Sequence, residues 1–280
     1  MRFPVALGAV TALLLATSAS AAPPQRVMSI NLCSDQLLLN LLPPSRITSV
    51  TYLSRERYKS YLSTEARRVG VNHGTAEEVV HERPDLVLAG LYSTPDTRRL
   101  LKATGIPVME LPPASDFEEI REQTREVGHA LGADEQAERL IRRMNATLAQ
   151  LFATAPKHPI RIVSWEGDGS VRGRGTLNDA IFTAAGAVNL GAMPGMRSVR
   201  FDTEQLLFAH PDLLAIGDSG IATPALRYSA LTHPLVQRVF SGRQVIYPEL
   251  LYSCGLPQSA DAAVQIRQMM LAALRVAPRT

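Results

Sequence analysis

Several things are scarce in this chain. Past residue 21 no window approaches the roughly 20 consecutive apolar residues that a membrane helix needs, so no membrane-spanning segment is expected in the mature protein. Only Lys59, Lys102 and Lys157 are lysines; the other 26 of the 29 basic residues are arginines spread among acidic neighbours. No basic tract or aromatic-interleaved basic motif accompanies the net charge of +3, which argues against a nucleic-acid partner. His73, His81, His129, His158, His210 and His233 show no close ligand spacing, so a receptor for a bare metal ion, which needs several converging ligands, is not expected. Tryptophan occurs once and cysteine twice.

What is present begins with an export signal. Arg2 supplies a positive n-region, VALGAVTALLLA at 5–16 an apolar h-region, and Ala19-Ser20-Ala21 a cleavage site. Residues 1–21 are read as a signal peptide, and no cysteine stands at the cleavage point, so a lipid-anchored mature N-terminus is not expected. The expected product is soluble and periplasmic.

Three phrases are written twice and in the same order. RVMSIN at 26–31 is echoed by RIVSWE at 161–166, ERPDLVLAG at 82–90 by AHPDLLAIG at 209–217, and GIPVMELP at 105–112 by GRQVIYPE at 242–249. Each is a short apolar run beside turn residues, the pattern of a strand buried on both faces. Helix-period segments separate them, including Phe117–Leu131 and Ala260–Leu274, where Ala263, Ile266, Met270 and Leu274 share a face. Such alternation predicts an α/β fold with two pseudo-symmetric α/β lobes.

Between the halves, Asp134 is the expected N-cap of a long helix. Ala137, Leu140, Ile141, Met144, Leu148, Leu151 and Phe152 follow at helical spacing, and Ala155-Pro156 ends it. The expected divisions are a signal peptide at 1–21, an N-terminal lobe at 22–133, a rigid linking helix at 134–156 and a C-terminal lobe at 157–280. An ordinary surface helix in one continuous domain is the alternative. In open α/β sheets ligands bind outside the carboxyl ends of strands, which directs attention to a cleft between the lobes.

RVMSINLCSDQLLLNLLPPSRITSV, GTAEEVVHERPDLVLAG and LLKATGIPVMELPPASDFEEIREQTREVGHALG, followed by the long helix, resemble the helical-backbone (class III) substrate-binding proteins of ABC importers. These are periplasmic receptors for ferric siderophores, haem and cobalamin, and the resemblance covers essentially the whole mature chain. It implies a non-enzymatic, monomeric receptor with little hinge motion and no cofactor of its own. The cargo would pass to a membrane permease served by a separate ATPase. An acidic residue on each lobe docks on the permease in that family. The matching positions are Glu204 in FDTEQLL and Asp96 in TPDTRR, although an acid in the first turn of a helix is also explained by the macrodipole.

Cargo is less legible. Tyr52 matches a family aromatic, whereas positions matching two tryptophans of cobalamin-binding members carry Glu110 and Ser198, which weakens a corrinoid assignment without removing it. The loop WEGDGSVRGRG offers Trp165, Arg172 and Arg174, with Arg197 and Arg200 nearby in sequence. Guanidinium groups suit oxygen anions, so either these arginines form a wall for an anionic ferric chelate or haem, or they are simply solvated. Tyr52, Tyr92, Trp165 and Tyr252 are the expected aromatic contacts. His73 is either a ligand to the metal of the cargo, with Glu110 and a thiol, or a loop histidine bonded to backbone.

Cys33 follows the first strand of one lobe and Cys254 the last strand of the other. Either they bridge the lobes as a disulfide, or they stand free beside the cargo, or they are unrelated. Gly217-Asp218-Ser219-Gly220 is shared with serine proteases, but that motif belongs to an all-β fold. The remaining alternatives are a corrinoid receptor and an exported α/β enzyme.

Overall fold

The computed structural model describes residues 22–91, 95–166, 168–192, 194, 198–218, 233–247 and 249–276. The apolar runs become parallel strands. In the first half β1 (Val27–Ser29), α1 (Leu32–Leu41), β2 (Ile47–Thr51), β3 (Gly70–Asn72) and α2 (Ala76–Glu82) are followed by β4 (Leu86–Gly90), α3 (Pro95–Thr104) and β5 (Val108–Leu111). Their sheet has the order β3-β2-β1-β4-β5, with every pair parallel. Successive strand residues feed opposite faces: Val27 and Leu88 join the apolar cluster under α1, while Met28, Val87 and Ala89 pack with Val79 and Leu101. This two-sided burial is why the strands read as continuous apolar runs.

Two helices follow. α4 (Phe117–Ala130) is capped by Asp116, whose Oδ1 accepts from the backbone N–H groups of Glu118 and Glu119, both at 2.9 Å. α5 (Asp134–Ala153) runs 20 residues, a rod of about 30 Å. Asp134 is its first helical residue rather than its cap. Ala133 holds the cap position with no side-chain bond, and the Asp134 carboxylate lies 3.1 Å from His129 Nδ1. Ala137, Ile141, Met144 and Leu151 are buried as the spacing requires, but Phe152 is 86% exposed because it falls one position past the buried stripe.

The second half repeats the design. β6 (Ile160–Ser164), β7 (Ser170–Arg172), α6 (Leu177–Ala184), β8 (Ala187–Asn189), β9 (Ser198–Arg200) and α7 (Thr203–Phe208) lead to β10 (Leu213–Gly217). α8 (Pro234–Val239), β11 (Gln244–Tyr247) and α9 (Ser259–Val276) complete the described chain. Its parallel sheet has the order β11-β10-β6-β8, and β7 pairs antiparallel with β9. Set against β5-β4-β1-β2, the second sheet matches strand for strand. All three sequence echoes fall on corresponding strands.

Side chains explain why the middle echo is so close. Arg83 and His210, the residues before the repeated Pro-Asp, both take left-handed backbone (φ 50° and 48°), which turns the chain from helix into strand. Asp85 then accepts from the backbone N–H groups of Gln25 and Arg26 at 2.7 and 3.0 Å, and Asp212 from that of Arg161 at 2.7 Å. The Arg26 guanidinium donates to the Glu82 carbonyl and that of Arg161 to the Ala209 carbonyl, each at 2.6 Å, capping the preceding helix. Each lobe thus fastens its two central strands by one Asp and one Arg. Asp85→Ala and Asp212→Ala are expected to destabilise by similar amounts, about 1–3 kcal/mol each, in denaturant unfolding. A loss confined to one lobe would show that the two fasteners are not equivalent.

The lobes are also joined away from α5. Cys254 and Leu256 pack within the apolar cluster of the first lobe, beside Leu37, Leu38 and Leu41. Gln258 Nε2 donates to Asn40 Oδ1 at 2.9 Å, and Arg143 on α5 faces Asp261 on α9 at 3.5 Å.

Candidate ligand-binding cleft

The carboxyl ends of both sheets border one cavity of about 700 Å³. From the first lobe it is lined by Asn31, Cys33 and Ser34 after β1, Gly90 and Leu91 at the end of β4, and residues 111–115 after β5. From the second come Glu166 and Asp168 after β6, Arg172 on β7, Thr176, Leu177 and Asn178 at the start of α6, and Tyr247, Glu249 and residues 252–255 around β11.

Local structure fixes these groups. Asn31 caps α1, its Oδ1 accepting from Cys33 N–H at 2.9 Å, and its side chain lies over Gly90, where a Cβ would come within 2.5 Å of the Asn31 amide nitrogen. Thr176 caps α6 through Asp179 N–H at 3.3 Å. At the corresponding strand end of the other lobe, a Cβ on Gly217 would lie 1.9 Å from Glu249 Oε1. Each repeated phrase therefore ends in a glycine that lets a polar side chain lie across the strand end.

Cys33 and Cys254 are disulfide-bonded, with Cα atoms 5.2 Å apart, and the bridge forms part of the cleft lining. Gln36 Nε2 donates to Cys254 Sγ at 3.5 Å. Beside it Tyr247 and Tyr252 pack at 4.4 Å between ring centroids, and Phe182 meets both edge-on. Tyr252 is 6% exposed and its hydroxyl has no hydrogen-bond partner among the described residues; burial raises its pKa. Burial also pushes Tyr247 up to about 12, although its hydroxyl lies 3.3 Å from Ser164 Oγ. Both phenols stay neutral at physiological pH.

A family model described as periplasmic binding protein matches residues 27–239, most of the chain and most of both sheets. The chain belongs to the periplasmic binding protein family. A curated relative, the uncharacterized ABC transporter substrate-binding lipoprotein YvrC of Bacillus subtilis, is 25% identical over 131 residues. The match takes in 46% of this chain and 41% of the relative, less than half the relative's length. Among solved structures, the periplasmic haem-binding protein HutB of Vibrio cholerae is 18% identical with a TM-score of 0.72, covering 88% of this chain and 98% of that one. The periplasmic vitamin B12 binding protein BtuF of Vibrio cholerae is 17% identical with a TM-score of 0.67, covering 90% and 99%. At these identities the likeness is one of fold.

Of the residues singled out by sequence, this periplasmic binding protein brings Cys33, Trp165, Arg172, Tyr252 and Cys254 to the cleft. Trp165 does so from inside the wall. It is 1% exposed, its Nε1–H donates to the Phe201 carbonyl at 3.0 Å, and it packs among Val163, Val171 and Leu214, so the expected open aromatic contact is instead core. The expected arginine wall also differs. Arg172 Nε is 2.9 Å from Glu166 Oε1, and Arg174 is exposed and does not border the cavity. Arg200 is exposed and 3.5 Å from Asp168, while Arg197 lies outside the described residues.

Tyr52 and His73 stack on each other at 5.3 Å, at the ends of β2 and β3 rather than in the cavity lining. His73 Nδ1 is 3.0 Å from Glu78 Oε1, so it is bonded to a carboxylate rather than to backbone. Burial pushes the Glu78 carboxyl up, but hydrogen bonds from His73 and Thr75 outweigh it and hold the group below its ordinary value. Glu110 sits half-buried on β5, one residue before the lining begins. Glu204 is exposed in the first turn of α7. Tyr92 and the Asp96 side chain lie outside the described residues, as does the segment 1–21.

Sequence reasoning passed over Glu166, Asp168 and Glu249, because loop carboxylates look like ordinary solvated charge. The signal for Asn31 and Thr176 was there: each is a capping residue type just before an apolar helical run.

Behind the Asn31–Ser34 turn, Asp35 is fully buried. Its Oδ2 accepts from Thr51 N–H, Thr51 Oγ1 and Ser54 Oγ at 3.1, 2.5 and 2.6 Å, while Oδ1 has no hydrogen-bond partner among the described residues. Burial raises its pKa from 3.8 to about 6, against the pull of the nearby Ser29 hydroxyl and of the bonds from Ser54 and Thr51. The folded value lies above the unfolded one, so this group's stabilising contribution is complete below pH 3.8 and is lost as pH rises through about 6. The shift corresponds to about 3 kcal/mol. Asp35→Asn is expected to remove that dependence, so that the stability difference between variant and wild type grows in the variant's favour from pH 4 to pH 7. A flat difference in denaturant unfolding across that range would contradict it.

Proposed function

We propose that this periplasmic binding protein captures a metal chelate, either a ferric siderophore or a tetrapyrrole such as haem, in the inter-lobe cleft and hands it to the permease of an ABC importer. A separate ATPase drives transport. The observation that carries the reading is the 700 Å³ cavity between the carboxyl ends of two matched parallel sheets, within the usual range for small-molecule sites. A corrinoid is the second reading, supported by the family resemblance and by a lining rich in neutral polar groups such as Asn31, Thr176 and Asn178.

The working units are an exported chain whose signal peptide is 1–21, lobes at 22–133 and 157–280, and the linking helix 134–156. Cargo meets the disulfide Cys33–Cys254, Arg172 and the rim of Tyr252, with Tyr52, His73, Tyr92, Glu110 and Arg174 farther along the crevice. Glu204 and Asp96 dock on the permease, and the receptor acts as a monomer without altering its cargo.

Titration calorimetry of residues 22–280 with a ferric trihydroxamate, a ferric tricatecholate, haem and cobalamin tests this. Saturable one-to-one binding of at least one, recovered unchanged, supports the reading. Binding of none, or conversion of the bound compound, contradicts it.

A further inference from the structure

The charge of the cleft narrows the cargo, given the receptor reading above. Among the described lining residues Glu166, Asp168 and Glu249 are carboxylates and Arg172 is the one guanidinium, a formal −2. Arg172 is already committed to Glu166 at 2.9 Å; Asp168 accepts from Ser170 N–H and Oγ at 2.8 and 2.9 Å, and its cationic partner among the described residues is Arg200, largely exposed and 3.5 Å away. Glu249 has no cationic partner among the described residues, and the Gly217 strand end leaves room for its carboxylate to lie against bare backbone. Asp218, which follows the lining residue Gly217, accepts from Glu249 N–H at 3.1 Å and so brings a second carboxylate close to Glu249.

Two features oppose this field. The helices α1 and α6 start at the cavity, and each N-terminus carries about half a positive charge. Their first-turn N–H groups are partly taken by Asn31 and Thr176, and together the two termini offset about one carboxylate. Among the described lining groups the balance stays negative. A ligand bearing carboxylates or catecholate charge would meet like charge in a partly enclosed site, where screening is weaker than in bulk water.

We infer that the cleft selects a metal chelate of neutral or positive net charge, one presenting amide, hydroxamate or ammonium groups, over chelates with peripheral anionic groups. Glu249 is the residue that sets this preference. It bonds an N–H or ammonium group of the cargo and repels an anion from the same place.

The test compares residues 22–280 and the Glu249→Gln variant against four compounds: cobalamin, a ferric linear trihydroxamate with a free amine, a ferric tricatecholate and haem. The wild type is expected to bind cobalamin or the cationic trihydroxamate at least tenfold more tightly than either anionic compound. Raising salt should weaken the cationic chelate, and Glu249→Gln should shrink the preference severalfold. The inference is overturned if the tricatecholate or haem binds tightest, or if the preference is indifferent to both salt and Glu249→Gln. Wild type that binds none of the four overturns the receptor reading itself, and this inference with it.

Discussion

Arg267→Met is expected to be the most damaging single substitution outside the cleft, lowering the unfolding free energy by about 3–5 kcal/mol. Arg267 sits on α9, 6% exposed, and among the described residues no carboxylate pairs with it. Its guanidinium instead donates to the carbonyls of Leu151 and Thr154 at the end of α5, at 2.7 and 3.0 Å, and of Ala184 and Ala185 at the end of α6, at 3.1 and 2.7 Å. A further bond goes to Thr154 Oγ1 at 3.1 Å. Two helix C-termini, each with orphan carbonyls and partial negative charge, converge on one cation. Burial lowers the Arg267 pKa, but a guanidinium remains charged. Methionine fills the space and leaves the carbonyls unpaired. In a chain of this size the loss corresponds to roughly 10 °C in Tm. Lysine should restore only part of it, because its single ammonium cannot reach both helix ends at once. A Tm within 2 °C of wild type for Arg267→Met would contradict this account.

The second large effect belongs to the disulfide. Cys33 and Cys254 are 221 residues apart in sequence, so the bridge restricts almost the whole unfolded chain, and it ties the first turn of α1 to the segment before α9. Replacing both by serine is expected to cost about 2–5 kcal/mol. The bridge also lies in the cleft lining, so the double variant should change cargo affinity as well. Cysteines that are alkylated without prior reduction, and an unfolding curve unaffected by the substitutions, would show that the bond does not form in the exported protein.

The fold was legible because repetition is visible without coordinates. The three echoed phrases sit on β1 and β6, β4 and β10, and β5 and β11, and the two sheet orders match through those strands. The long helix was equally readable from its apolar spacing. Its cap was not: Asp134 has the right chemistry for an N-cap but lies one residue inside the helix.

The cleft was legible as a set of loops and much less so as a set of side chains. Trp165 and Arg172 belong to the right loop, but a sequence does not say that an indole turns inward to bond the Phe201 carbonyl, or that an arginine is matched by a glutamate six residues earlier. The importance of Glu249 depends on Gly217, 32 residues away in sequence and on the neighbouring strand. Such pairings exist only after the sheet has formed. Local pattern predicts the elements, and the charge of the site emerges from their packing.

The most direct test of the central claim is hydrogen exchange on residues 22–280, with and without the tightest-binding chelate. Protection is expected at strand-end segments of both lobes together, at 31–34 and 112–115 on one side and 166–178 and 249–255 on the other. Protection confined to one lobe, or appearing away from these segments, would mean that the cargo does not bind between the two sheets.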